Sequence, residues 1–437
     1  MQTCKRWWML ILLLWPSPDS RATAPAEFYL KDGQTVVFVG DSNTFADQYI
    51  QYLDAFLFTR FPEKRFHLIN RGLPSETVAG TSEPTHIPPR PDLHTRFSRT
   101  VPPLHPDVLV ACYGMNDGVY SSTNDEIFAR YQSGIRRLVQ RTHDETKAGL
   151  VLLTPPPFDV APYRNKPPTD PPDWRRPASD YDATLGRFSD WLLGLRKENL
   201  FVVDLRTPVG EFLKDRRRSD PGFILAGDGV HLNATGHWLI AQSLLRAWSA
   251  PAVFAEVVID VNTRRALAGE VAGLEIGSKG RLGFRWSLPL PCPIDPACDA
   301  ASLALARSNE RLNQCRLVVR GAPEERYDVV VGRNRLGLVT REALAQGVNL
   351  ADYSKFPLRQ ESQEVLKLVQ RRRQILLEAW VRDDPHPRLA GMFKNSKATI
   401  EEAEALEARL RQLCQKQTIA VQLQPIEEQG ASFENHQ

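Results

Sequence analysis

From about residue 28 to residue 250, short apolar runs alternate with stretches of helical periodicity, and this rhythm limits the folds open to the chain. Thr35–Val39, Phe66–Ile69, Val108–Cys112, Leu150–Leu153 and Phe201–Val203 are too apolar to leave one face in water. They read as strands covered on both sides, the condition of a parallel sheet. Between them, Ile50, Leu53 and Leu57 share one helical face, as do Ile127, Tyr131, Ile135 and Leu138. Leu185, Phe188, Leu192 and Leu195 repeat the spacing, and Trp238 to Leu245 closes the unit. Such alternation predicts a doubly wound α/β sheet, whose ligand site lies beyond the carboxyl ends of its strands.

Two proline-rich stretches break the rhythm, His86 to Pro106 and Pro155 to Pro177. Loops of this length in a compact domain are often functional. The second carries Phe158, Tyr163 and Trp174, which suggests a stiff aromatic rim above the sheet. After Ala250 the pattern changes. Residues 251–357 favour short strands such as Val257–Val261, Arg316–Val319 and Asp328–Val331, and read as a β-rich module. Residues 358–425 return to helical spacing, with Val365, Leu368, Val369, Leu376 and Trp380 on one face and Ala403, Leu406, Leu410 and Leu413 on another. Thr399 and Glu402 have capping-box spacing for the second helix, so the segment reads as an α-helical hairpin. The run Arg371-Arg372-Arg373 is most simply a solvated helix face, and residues 426–437 a frayed tail.

At the N-terminus, Lys5 and Arg6 precede an apolar run from Trp7 to Trp15 that is too short to span a bilayer, followed by small residues in A-x-A form. Residues 1–26 therefore read as a secretory signal peptide cut after Ala26, the alternative being an uncleaved anchor. Residues 27–250 then form the first domain of a secreted or periplasmic protein without stable membrane insertion. The formal net charge is +3, from 55 basic against 52 acidic residues, and no basic-aromatic face is clustered, which argues against nucleic acid as a partner. Cys112 lies in an apolar run and reads as a buried thiol. Cys292, Cys298, Cys315 and Cys414 could form disulfides after export, in any of three pairings. Zinc fits poorly, because paired C-x2-C units and suitably spaced histidines are both missing.

Four clusters carry chemistry. Gly40-Asp41-Ser42-Asn43 follows the first strand and precedes a helix, where backbone N–H groups favour developing negative charge. Asn70-Arg71-Gly72 ends the second strand, and Gly114-Met115-Asn116-Asp117 follows the third; glycine admits close approach to a backbone N–H, and an asparagine amide can donate to an oxyanion. In Asp228-Gly229-Val230-His231 the carboxylate can fold back onto imidazole Nδ1–H, holding the tautomer whose Nε2 takes a serine proton. Asp204, at a strand end, reads as structural; His86, His94 and His105 in the first long loop could touch substrate but do not have the spacing of a metal site.

In order and separation these clusters resemble the blocks of the SGNH (GDSL-type) hydrolase superfamily, over roughly residues 33 to 245. The resemblance implies a flavodoxin-like three-layer fold and ester hydrolysis through an acyl-enzyme, with no cofactor and no metal. It implies Ser42 as nucleophile, His231 as base oriented by Asp228, and an oxyanion hole made by the Ser42 and Gly72 amides and the Asn116 side chain. Asn43 stands where many members have leucine, and the second block lacks a second glycine that many carry. The expected substrate is a small-molecule or carbohydrate ester, with deacetylation of carbohydrate favoured by the aromatic rim. The alternatives are a lipid esterase or lysophospholipase, and a polysaccharide-binding protein with vestigial catalysis.

Overall fold

The computed structural model describes residues 27–163 and 166–426; the expected signal peptide and the tail beyond Ile426 lie outside the described residues. The first unit runs β1 (Thr35–Gly40), α1 (Ser42–Phe45), α2 (Gln48–Arg60), β2 (His67–Asn70), α3 (Leu93–Thr100), β3 (Val108–Cys112), α4 (Asp125–Glu145), β4 (Gly149–Leu153), α5 (Tyr181–Gly194), β5 (Phe201–Val203), α6 (Arg206–Ser219) and α7 (Ala234–Ala247). The five strands form one parallel sheet in the order β2-β1-β3-β4-β5.

The apolar runs are buried on both faces because alternate residues serve different layers. Val36, Phe38, Val108, Val110, Cys112, Val151 and Leu153 face α2, α6 and α7. Val37, Val39, Leu109, Ala111 and Leu152 face α3, α4 and α5. This is the three-layer α/β sandwich.

The remainder builds two further sheets from β6 (Val253–Asp260), β7 (Arg265–Ala268), β8 (Val271–Ile276), β9 (Leu282–Leu288), β10 (Gln314–Arg320), β11 (Arg326–Val331), β12 (Asn334–Thr340), β13 (Val348–Asn349) and β14 (Gln417–Pro425). One sheet has the order β13-β10-β6-β7, the other the antiparallel order β12-β11-β14-β9-β8. Short helices α8 (Ala300–Leu305), α9 (Ser308–Leu312) and α10 (Arg341–Gln346) interrupt the β segment. Helices α11 (Leu358–Asp383) and α12 (Ile400–Leu413) form the hairpin, and Thr399 caps α12 by accepting from the Glu402 amide.

Two expectations need correcting. Residues 417–425 are not the end of the hairpin; β14 runs between β11 and β9, because its alternating Ile419, Val421 and Leu423 need a sheet to cover them. Nor are Arg372 and Arg373 on a solvated face. Arg373 is 3% exposed and pairs with Asp47 at 2.6 and 2.7 Å, while Arg372 reaches Asp54 and Glu407. A run of arginines in sequence does not reveal carboxylates contributed by α2. The cysteines Cys112, Cys292, Cys298, Cys315 and Cys414 are all buried and unpaired, and burial pushes each thiol up in pKa. Among the described residues no helix is long and apolar enough to cross a membrane.

Candidate active site

The four clusters converge at the carboxyl end of the sheet. Asp41 caps α1 by accepting from the Asn43 amide at 3.0 Å, which leaves Ser42 as the first helical residue. Gly40 is required because a Cβ there would lie 2.3 Å from Thr44 Oγ1 and 2.8 Å from the Cys112 carbonyl. Ser42 Oγ donates to His231 Nε2 at 2.9 Å, and His231 Nδ1–H donates to Asp228 Oδ2 at 2.5 Å. Asp228 Oδ1 also accepts from the Val230 and His231 amides at 3.0 and 2.8 Å. Partial burial opposes ionisation of Asp228, but the His231 ring and these amides outweigh it and hold its carboxyl well below the usual range. The bond from Asp228 in turn raises the His231 pKa above its ordinary value, against the effect of burial.

The loop carrying Asp228 and His231 is held from two sides. Asn43 Nδ2 donates to the Val230 carbonyl at 3.0 Å and its Oδ1 accepts from Leu232 N at 3.1 Å, gripping the chain on either side of His231. A leucine at position 43 could make neither bond. On the other side, Tyr163 donates to the Asp228 carbonyl at 2.9 Å, and Phe158 lies where a Cβ on Gly229 (φ 75°) would fall, 2.6 Å away. The second proline-rich stretch thus braces the Asp–His loop, with Trp174 left 40% exposed at the rim.

The expected oxyanion donors divide. The Ser42 amide makes no bond within the protein among the described residues. Asn116 Oδ1 accepts from Arg90 Nη1 at 2.9 Å and from Tyr120 at 3.0 Å, and Nδ2 donates to the Glu76 carbonyl at 3.2 Å, which leaves its second N–H unused. Gly72 is different. Its amide donates to Asn70 Oδ1 at 2.8 Å, and its Cα packs so closely on α1 that a Cβ would be 2.5 Å from Phe45 N. Gly72 therefore serves contact between the loop and α1, not an open donor site. Three residues on, Ser75 has φ 66° in a Leu73-Pro74-Ser75-Glu76 turn closed by Glu76 N to Leu73 O at 3.1 Å. The Ser75 amide has no partner among the described residues, and the turn hangs between the Gly40 carbonyl, bonded by Leu73 N at 2.8 Å, and Asn116. Proline at the second position was a sequence signal for the turn, but not for its type, since proline there suits turns with either sign of φ at the third position.

Buried ion pairs hold this frame. Arg96 binds Glu76 at 2.5 and 2.6 Å, Tyr113 donates to Glu76 at 2.6 Å, and Arg96 also reaches the Arg71 carbonyl at 2.7 Å. Arg90 binds Glu83 at 2.5 and 2.6 Å. Asp117 Oδ1 accepts from the Val78 and Ala79 amides, both at 2.8 Å, and orders that loop. His94 is buried against the Gly134 carbonyl, His105 stands in an exposed turn after Pro102, and Asp204 accepts from Thr207 N in the first turn of α6. His86 lies in the turn after Glu83, whose carboxylate binds the Arg90 that holds Asn116. No group of three metal-binding side chains occurs among the described residues.

Residues 38–239 match the model of the GDSL-like lipase/acylhydrolase family. That segment, a little under half of the chain, carries the family's pattern. No curated protein matches the sequence. Among solved structures, a gut microbial diltiazem-metabolizing enzyme is similar over 91% of this chain and 98% of its own, with a TM-score of 0.74 at 18% identity. Its fold therefore includes the C-terminal sheets and helices as well as the α/β unit. An acetylxylan esterase from Geobacillus stearothermophilus matches 50% of this chain and 96% of its own, at 22% identity and a TM-score of 0.36. The match of this segment supports ester hydrolysis as its activity.

Proposed function

We propose that the chain is a serine esterase working through an acyl-enzyme, and that the Ser42–His231–Asp228 hydrogen-bonded line carries this reading. His231 Nε2 takes the Ser42 proton as Oγ attacks the ester carbonyl, and the imidazolium then protonates the leaving alcohol. Water attacks the acyl-Ser42 with His231 again as base, releasing the acid and restoring the serine. Asp228, ionised across the working pH range, keeps Nδ1 protonated and stabilises the imidazolium. The Ser42 and Ser75 amides and the Asn116 amide group hold the oxyanion. The exposed Asp228–His231 pair and the Tyr163–Trp174 rim favour small acyl groups on a polar or carbohydrate alcohol over long acyl chains.

The test pairs a fluorophosphonate probe with an ester panel of acetylated sugars, short aryl esters and phospholipids. Labelling of wild type but not of Ser42→Ala, with a turnover loss of roughly 10^4 to 10^6 in that variant, is expected. An unlabelled but folded wild type would leave the polysaccharide-binding alternative, and phospholipid preference would favour the lipid esterase.

A further inference from the structure

The loop joining α11 to α12, residues 384–399, reaches the catalytic end of the first unit. Leu389 is buried with Leu73, Leu377 and Val381, and Phe45, Trp380 and Phe393 pack against them. Leu73 begins the turn that presents the Ser75 amide, and Phe45 is the last residue of the helix that Ser42 starts. The loop is thus anchored on one flank of the nucleophile. From the same loop, Arg388 Nη2 reaches His86 Nε2 at 3.5 Å. His86 Nδ1 faces the Pro88 carbonyl at 2.7 Å and must donate to it, so its Nε2 carries a lone pair toward the guanidinium. His86 closes the turn from Glu83, whose carboxylate grips Arg90, which in turn holds Asn116. Arg388 therefore bridges the α11–α12 loop, anchored on Leu73 and Phe45, to the His86 loop that is tied through Glu83 and Arg90 to Asn116.

Its charge is not neutralised there. Arg90 is matched by Glu83, and Asp384, the acidic group on Arg388's own loop, is engaged by the His386 amide, the Trp380 indole N–H and Arg99. His386 accepts from the Arg388 backbone N–H and supplies no negative charge. No carboxylate lies within 4 Å of Arg388 among the described residues, and its environment, part-buried and beside Arg90, disfavours the cation. A part-buried cation lacking an acidic partner gains one when an anionic ligand binds.

We propose that the α11–α12 loop is a wall of the ester-binding cleft and that Arg388 selects esters carrying a carboxylate close to the scissile bond. The inference rests on the esterase reading and adds a substrate class to it. Two substrate pairs differ only in that charge: mono-p-nitrophenyl succinate against its methyl ester, with the carboxylate on the acyl side, and p-acetoxybenzoate against p-acetoxybenzamide, with it on the alcohol side. Rates are taken relative to spontaneous hydrolysis. Wild type should favour the charged member of at least one pair by roughly tenfold in kcat/KM, chiefly through KM. Arg388→Gln should erase that preference by slowing the charged member far more than the neutral one, and Arg388→Lys should keep part of it, with melting temperatures confirming that both variants fold. Absence of charge preference in both pairs, or equal slowing of charged and neutral esters by Arg388→Gln, would overturn the inference while Ser42 labelling and neutral-ester turnover left the esterase reading standing. A wild type that neither labels nor hydrolyses any of the four esters would overturn both.

Discussion

At the scale of single residues, the site's behaviour follows from which polar groups are already engaged. His231 must be neutral to accept the Ser42 proton, and Asp228 raises its pKa. Activity should therefore be low in acid and rise with pH through an inflection above the ordinary histidine value of about 6.5. Asp228→Asn should move that inflection down and lower kcat by roughly 10^2 to 10^4, as loss of the orienting carboxylate does in other triads. A pH–rate profile of the two proteins checks this, and an unchanged inflection would separate Asp228 from the titration. Ser75 gives a second test. Its φ of 66° suits glycine, and the donor assigned to it is backbone, so Ser75→Gly should keep wild-type turnover and gain up to about 1 kcal/mol of stability. A fall of more than about tenfold would instead assign the role to the hydroxyl. Asn116→Ala, which removes a side-chain donor, should cost roughly 10^2 to 10^3 in kcat. Asp117 is different in kind: burial pushes its carboxyl up to about 7, and its Oδ2 has no partner. A pKa raised on folding stabilises the protonated form, so this contribution is whole below the unfolded value of about 3.9 and is lost as pH rises toward 7. Melting temperatures of wild type and Asp117→Asn should therefore diverge least in acid and most above neutrality.

At the scale of elements, α11 is stitched to the α/β unit by charge as well as by apolar packing. Arg373 lies between Asp47 and Asp54 and also donates to the Leu68 carbonyl at 3.2 Å. Asp47 in turn accepts from Asn70 Nδ2, the side chain whose oxygen holds the Gly72 amide. Removing one partner of a buried pair leaves an uncompensated charge, so Arg373→Ala should destabilise by about 3–5 kcal/mol in denaturant titration. Arg371→Ala, whose partner Glu402 is solvent-exposed, should change stability by less than about 1 kcal/mol. Equal effects of the two would mean that the Asp47 contact contributes nothing.

At the scale of the whole molecule, the α/β unit and the C-terminal sheets share one apolar core. Val36, Phe38 and Leu53 belong to the same buried cluster as Val257, Leu317, Trp286, Val365 and Val421. Ending the chain at Ala250 would uncover that face, with each buried aliphatic side chain worth roughly 1.5–3 kcal/mol. Residues 27–250 alone should aggregate or bind hydrophobic dyes; a soluble, cooperatively melting fragment would show the extension to be dispensable for folding.

The sequence by itself determined what depends on neighbours along the chain. Unbroken apolar runs marked Val108–Cys112 and Phe201–Val203 at their observed ends, helical spacing placed α4 and α5, and the three-residue step from Asp228 to His231 sufficed to bring those side chains together. Tertiary structure decided what depends on partners distant in sequence. Asn43 grips the His231 loop 187 to 189 residues away, Arg373 finds Asp47 across 326, and β14 joins β9 across more than a hundred. It also decided how closely Gly72 packs on α1, where a Cβ would lie 2.5 Å from Phe45 N. A hydrogen bond has no sequence period, so its partner becomes legible only when the chain has folded.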